Sequence, residues 1–230
     1  MQQQTLHLRN RPRRRQSPRT SDAWLVVGMG NHGEAYADTP HNVGFDAVDL
    51  LARQLHLGWI EAPDGRLSYG SIDSQAVILF KSRTLINVCG PAVESARRRL
   101  GIRPDRVIVV HDETDLPLAD AKIKQKGSDG GHKSLRSVFL ALGTDGFMPR
   151  VRIGVRPPPL TTQAATQTAN VNAKSLVLQR FSSADTPALT AGLVKAVALL
   201  HTCITGNQLG QRKAKTAQSP PATTLTDTEA

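Results

Sequence analysis

The sequence predicts an α/β protein of one domain, with a central mixed, mostly buried β-sheet flanked by helices. Three observations predict it. The 230 residues suit one domain of ordinary size with tails. Several short runs are apolar at every position rather than at alternate ones, as in strands covered on both faces. Stretches with apolar residues at helical spacing separate these runs, so strands and helices alternate along the chain.

Residues 23–27 read as a buried strand that opens into a glycine-rich loop, Gly28-Met29-Gly30-Asn31-His32-Gly33. Over 46–57, Val48, Leu51, Ala52 and Leu55 make one helical stripe. Strand-like runs follow at 67–72 and 76–80, then a helix over 92–100. A strand over 106–110, apolar from Val107 onward, ends in His111-Asp112-Glu113. Residues 122–124 fit a short strand, 133–142 a helix and 151–155 another strand. Residues 156–172 begin with Pro157, Pro158 and Pro159, continue in Thr, Gln and Ala, and read as a surface loop or insertion. A closing helix over 185–203 carries Leu189, Leu193, Val197 and Leu200 at near-helical spacing. No internal repeat is visible.

The formal charge is +10, from 29 Lys and Arg against 19 Asp and Glu, and the pI is about 10.2, which points to a polyanionic partner. Half of that excess sits in residues 1–22, where six Arg face Asp22 alone. This leader is Arg-rich, acid-poor and contains Ser and Thr, like a mitochondrial presequence. Pro12 and Pro18 interrupt any long amphipathic helix there, so it reads equally as a disordered leader without an address. The expected location is mitochondrial, with the cytoplasm as the alternative. Residues 205–230, rich in Gln, Thr, Ser and Pro, read as a disordered tail, which leaves 23–204 as the folded domain. No apolar run approaches the roughly 20 residues of a membrane-spanning helix, so no membrane partner is expected. Two cysteines, Cys89 and Cys203, are too few for a disulfide framework or a cysteine-based zinc site, and a reducing compartment is the default.

Gly28, Gly30 and Gly33 satisfy the spacing of a dinucleotide-binding turn, G-x-G-x-x-G. That fingerprint also needs a helix straight after the third glycine and an acid ending the next strand about 20 residues on. Pro40 halts any helix within two turns, and Asp46 and Asp49 fall inside a helical pattern. No nicotinamide or other cofactor is expected. His111 and His132 have acids nearby but lack a visible ligand count for a metal, and none is expected.

The ordered motifs resemble one family. The glycine-rich loop, then Tyr36, then Thr39-Pro40-His41-Asn42-Val43-Gly44-Phe45, resembles the opening of bacterial-type peptidyl-tRNA hydrolases. Thr84-Leu85-Ile86-Asn87 with Gly90 is similar to that family's T-F-M-N segment. Val110-His111-Asp112-Glu113-Thr114-Asp115-Leu116-Pro117 is similar to its H-D-E-L-D-L-P block. Gly130-Gly131-His132 matches its G-G-H, and Arg150-Val151-Arg152-Ile153-Gly154 its R-L-R-I-G strand. The five blocks follow the family's order over about residues 24 to 204.

The resemblance implies hydrolysis of the ester joining a peptide to the terminal ribose of tRNA, by a monomer that engages the acceptor stem and CCA end. It implies His41 as general base and Asp112 as the carboxylate that orients it, a pairing that makes an imidazole a better base. Asn31, Tyr36, Leu85, Asn87, His132 and Lys133 fall at positions that face the substrate or the RNA end. The amides of Asn31 and Asn87 suit a scissile carbonyl because they offer both donor and acceptor. Lys124 and Arg152 match a basic pair at the 5′ phosphate, a contact that recognises position rather than sequence. Taken singly, His41 reads as a turn histidine, Asp112 as a helix N-cap, and Leu85 as packing. The chain departs from the family at Lys133, which replaces an asparagine, at Pro40, which replaces an arginine, and at Leu85 and Ile86. A second reading is therefore an RNA-binding module on the same fold with reduced catalysis. Retention of His41, Asp112, Asn31 and Asn87 together favours the enzyme.

Overall fold

The computed structural model describes residues 20–156 and 177–206. The predicted leader, loop and tail at 1–22, 156–172 and 205–230 lie mostly outside the described residues.

Seven strands form one sheet: β1 (Trp24–Gly28), β2 (Ile60–Ala62), β3 (Gly65–Ile72), β4 (Gln75–Ser82), β5 (Val107–Pro117), β6 (Ala121–Lys124) and β7 (Arg150–Arg156). Their order is β2-β3-β4-β1-β5-β7-β6. The inner four, β4, β1, β5 and β7, run parallel. The outer strands turn back as antiparallel neighbours, so the sheet is mixed as expected. Among the described residues four α-helices cover it: α1 (Val43–Gln54), α2 (Gly90–Arg99), α3 (Lys133–Leu142) and α4 (Thr186–Ile204). On one face Val48 and Leu51 of α1 and Val197 and Leu200 of α4 pack with Val26, Leu79 and Val151. On the other, Val93 and Ala96 of α2 and Leu135 and Val138 of α3 pack with Leu25, Phe80 and Val109. Cover on both faces is why the inner strands are apolar at successive positions.

Three local expectations change. The strand expected to stop at residue 110 continues to Pro117, because His111, Asp112 and Glu113 stay in register with Arg152, Ile153 and Gly154 of β7. β2 is a short, largely exposed edge strand with too few apolar residues to announce itself. The segment Ser183–Ile204, with mean hydropathy 1.5, is long and apolar enough to cross a membrane, which the sequence reading denied. Its buried residues, among them Ala196, Val197, Leu200 and Cys203, instead join the core beneath the sheet.

β1 lies between β4 and β5, and the chain leaves it towards α1 on one face but enters β5 from α2 on the other. Such a reversal opens a crevice at the carboxyl ends of the strands, where α/β sheets bind ligands. The loop after β1 and the polar half of β5 meet there.

Candidate active site

The glycine-rich loop is shaped by packing. A Cβ on Gly28 would come within 2.5 Å of the Gly44 carbonyl oxygen, and one on Gly30 within 2.6 Å of the Phe45 ring. Glycine at both positions lets the first turn of α1 press onto the loop. After Gly33 the chain makes two 3-10 turns, Glu34–Tyr36 and Pro40–Asn42, and α1 begins only at Val43. The pyrophosphate-binding helix of a dinucleotide site is thus missing, as Pro40 foretold. The close approach puts Asn42 beside Asn31, where its Oδ1 accepts from the Asn31 backbone N–H (2.7 Å) and its Nδ2 donates to the Asn31 carbonyl (3.1 Å). His41 sits in the same turn, its backbone N–H donating to the Val177 carbonyl (3.0 Å).

Asp112 of β5 is 2% exposed and holds two imidazoles. His41 Nδ1 lies 3.0 Å from its Oδ2, and His132 Nε2 lies 3.0 Å from its Oδ1. Burial opposes ionisation of this carboxyl, but the hydrogen bonds from His132 and His41 hold its pKa well below the usual carboxylate range. Burial also opposes a charged His132; the bond and charge of Asp112, with Glu113 and Asp129, outweigh it and raise its pKa. With Nδ1 on Asp112, His41 has Nε2 left to take a proton. His132 precedes the first residue of α3, at the end of a loop that the buried Arg150 pins, the Arg150 Nη2 donating to the carbonyls of Gly127 (3.1 Å) and Ser128 (2.8 Å).

His41, Asp112 and His132 also have the composition of a metal site. Their candidate ligand atoms lie within 4.8 Å of one another, and the two hydrogen bonds at 3.0 Å account for that convergence.

The amides differ from expectation. Asn31 Oδ1 accepts from the Ile86 backbone N–H (2.8 Å), and Asn87 Oδ1 accepts from Ser134 Oγ (3.0 Å). Each oxygen has one lone pair engaged in this way, and the NH2 of each side chain is the group without a hydrogen bond among the described residues. Arg152 is not a free cation either, since its Nη1 is 3.2 Å from Glu113 Oε2. Lys124, half-buried, and Lys133, exposed at the first residue of α3, make no ion pair among the described residues.

All ten predicted residues, His41, Asp112, Asn31, Tyr36, Leu85, Asn87, His132, Lys133, Lys124 and Arg152, line one cleft of about 620 Å³. Leu85, Val88 and Leu178 give it an exposed apolar wall. Leu85 is therefore not core packing. The sequence reading missed four contributors: Asn42, Glu113, Ser134 and the Val177-Leu178 segment. Asn42 and Glu113 stood inside the quoted motifs, whereas nothing local marked Ser134 or Val177 as neighbours of the site. His132, read as a substrate or tRNA contact, also partners Asp112. A second cleft of about 470 Å³ shares Asn31 with the first and is lined also by Asn42, Asp38, Asp46, Asp49 and Lys81. There burial, with the charges of Asp49 and Asp38, pushes the Asp46 pKa up to about 7.

A histidine on a buried carboxylate, with amide donors beside it at the carboxyl end of a doubly covered sheet, is an arrangement that can activate water for hydrolysis. The chain belongs to the peptidyl-tRNA hydrolase family: residues 25–222 match the family described as Peptidyl-tRNA hydrolase. It is 39% identical over 168 residues to the peptidyl-tRNA hydrolase of Chloroflexus aurantiacus, covering 72% of this chain and 84% of that protein. It is 34% identical over 188 residues to that of Moorella thermoacetica, covering 81% and 94%. Among solved structures, the peptidyl-tRNA hydrolase of Acinetobacter baumannii superposes with a TM-score of 0.68 at 26% identity, covering 81% of this chain and 91% of that one.

Proposed function

We propose the following division of labour for the hydrolysis of peptidyl-tRNA, the reaction of this family and of this chain. His41 Nε2 removes a proton from water as that water attacks the ester carbonyl carbon. Asp112 keeps the Nδ1 proton of His41 in place and stabilises the imidazolium that forms. The NH2 groups of Asn31 and Asn87 donate to the carbonyl oxygen as it gains charge. The bond to the ribose oxygen then breaks, and the histidine returns its proton to that oxygen. Free tRNA and a peptide with a new carboxyl group leave, and that carboxyl gives its proton to solvent.

The RNA end is held by Lys124, Lys133 and Arg152. Lys133 supports this reading because a lysine at the first residue of a helix opposes the helix dipole. A phosphate between Lys133 and the α3 N-terminus relieves that opposition. Arg152 has to share its guanidinium between Glu113 and phosphate. The acceptor stem and CCA end are the partner these cations fit, and the chain acts as a monomer.

The observation that carries the reading is the His41–Asp112–His132 trio on the floor of a cleft rimmed by free lysines. An RNA-binding module has no use for a hydrogen-bonded base with amides beside it, and that alternative is not favoured. The test is release of N-acetylaminoacid from N-acetylaminoacyl-tRNA by the purified chain, with free aminoacyl-tRNA as control. Release from the blocked substrate well above the control is expected. RNA binding without release would overturn the catalytic reading.

A further inference from the structure

We infer that His111 is a positioning residue of this site: its Nε2 and the Nδ1 of His132 share one buried water, and that bridge holds the His132 ring on Asp112. The starting observation is a matched pair of buried, unpartnered nitrogens. His111 is 2% exposed, and its Nδ1 lies 2.6 Å from the backbone oxygen of Asp112, a contact it can make only as donor. Its Nε2 therefore carries a lone pair. His132 gives its Nε2–H to Asp112 Oδ1, which leaves Nδ1 on the other side of the ring. Both leftover nitrogens are buried, and neither has a hydrogen-bond partner among the described residues. The two rings meet edge-on, centroids 5.0 Å apart and planes at 74°.

Buried polar atoms without partners are rare, and an ordered water is the usual remedy where the site is polar. Water also suits the chemistry. It can accept from the Nδ1–H of a charged His132 and donate to His111, or donate to both nitrogens when His132 is neutral. The charges around the pair agree. Burial and the His132 charge press the His111 pKa down to about 3, so that ring stays a neutral acceptor despite Asp112 nearby, and Arg150 adds to the effect. Asp112, Glu113 and Asp129 favour the charged His132, and His41 faces it across Asp112. Without the bridge, a charged His132 keeps one buried N–H unpaired, and Asp112 loses part of the support that aligns His41.

The effect on turnover rests on the hydrolytic reading above; the bridge itself is tested without it. His111→Gln places an amide near the position of Nε2. His111→Asn keeps a donor for the Asp112 backbone but is too short to reach the water. Histidine NMR should show His132 titrating near its original value in His111→Gln and about one pH unit lower in His111→Asn. In His111→Asn, kcat for N-acetylaminoacyl-tRNA should fall on the order of tenfold with KM unchanged. An unaltered His132 titration in His111→Asn, or an equal shift in both variants, overturns the bridge. A crystal structure of the unmutated protein provides a check that needs no variant to fold. A water within about 3.2 Å of both nitrogens is expected, and a clear map without one refutes the inference.

Discussion

Asp112→Asn changes the charge at the centre of the site while keeping its shape. The carboxylate accepts from two imidazoles at 3.0 Å each, and an amide has one oxygen and one NH2 to offer in its place. If the amide oxygen stays on His132, its NH2 faces His41 Nδ1 and requires that nitrogen to accept. The His41 proton then moves to Nε2, the atom that must take the proton from water. If the oxygen stays on His41, the orientation survives but the charge that stabilises the imidazolium is gone. General-base catalysis of this kind contributes about 10²–10⁴-fold, and the first arrangement forfeits most of it, so kcat should fall on the order of 10³-fold with little change in KM. Stability should fall too. Hydrogen bonds to a charged group contribute about 1.5–3 kcal/mol each, and two neutral bonds of about 0.5–1.5 kcal/mol replace part of the loss, which leaves a deficit of about 2–3 kcal/mol. The deficit depends on pH. The folded Asp112 pKa is depressed, so its contribution is present above the unfolded value of about 4 and lost as pH falls through the folded one. The folded His132 pKa is raised, so its contribution is present below about 6.5 and lost as pH rises through the folded one. Thermal unfolding should therefore separate the variant from the unmutated chain most between about pH 4 and 6.5. A kcat loss below tenfold, or one confined to KM, would refute the role given to the carboxylate.

Lys133→Asn should weaken tRNA binding and reduce its salt dependence by about one counterion, measured at two salt concentrations. It should also raise the unfolding midpoint slightly, since a cation leaves the N-terminus of α3. A faster enzyme with unchanged affinity would show instead that the site wants an amide there. Asp46→Asn should stabilise the fold by about 2 kcal/mol more at pH 8 than at pH 4. The reason is that the folded Asp46 pKa of about 7 makes ionisation costly in the folded state, a cost that grows as pH rises from the unfolded value near 3.8 and is complete above about 7. Equal stabilisation at both pH values would count against that assignment. Residues 1–22 fused to a reporter should direct it to mitochondria; a wholly cytosolic signal would remove that location.

The apolar strands and the helix over 133–142 were legible because each must be covered by neighbours, and cover on both faces leaves an unbroken apolar run. What was not legible depends on distant pairing. Nothing within 111–117 says that a polar segment stays in the sheet; the partner strand β7, some 40 residues later, decides it. The choice of His41 and Asp112 came from motif order, and their contact spans 71 residues of chain. The motifs named Asn31 and Asn87 but could not say which end of each amide is spent, because Ile86 and Ser134 fix that through the fold. For the same reason His132 read as a substrate or tRNA contact and Arg152 as a phosphate contact, with no sign of an acidic partner for either. Each is held by an acid, Asp112 or Glu113, that only the sheet register brings to it.

The most direct test of the account is single-turnover hydrolysis of N-acetylaminoacyl-tRNA by His41→Ala, with tRNA affinity measured on the same sample. His41 is half-buried on the cleft floor and supplies the only proton acceptor the mechanism uses. The account predicts a rate lower by at least about 10³-fold, with tRNA affinity unchanged and the fluorescence of Trp24 and Trp59 unaltered. Hydrolysis by His41→Ala at close to the unmutated rate would contradict it.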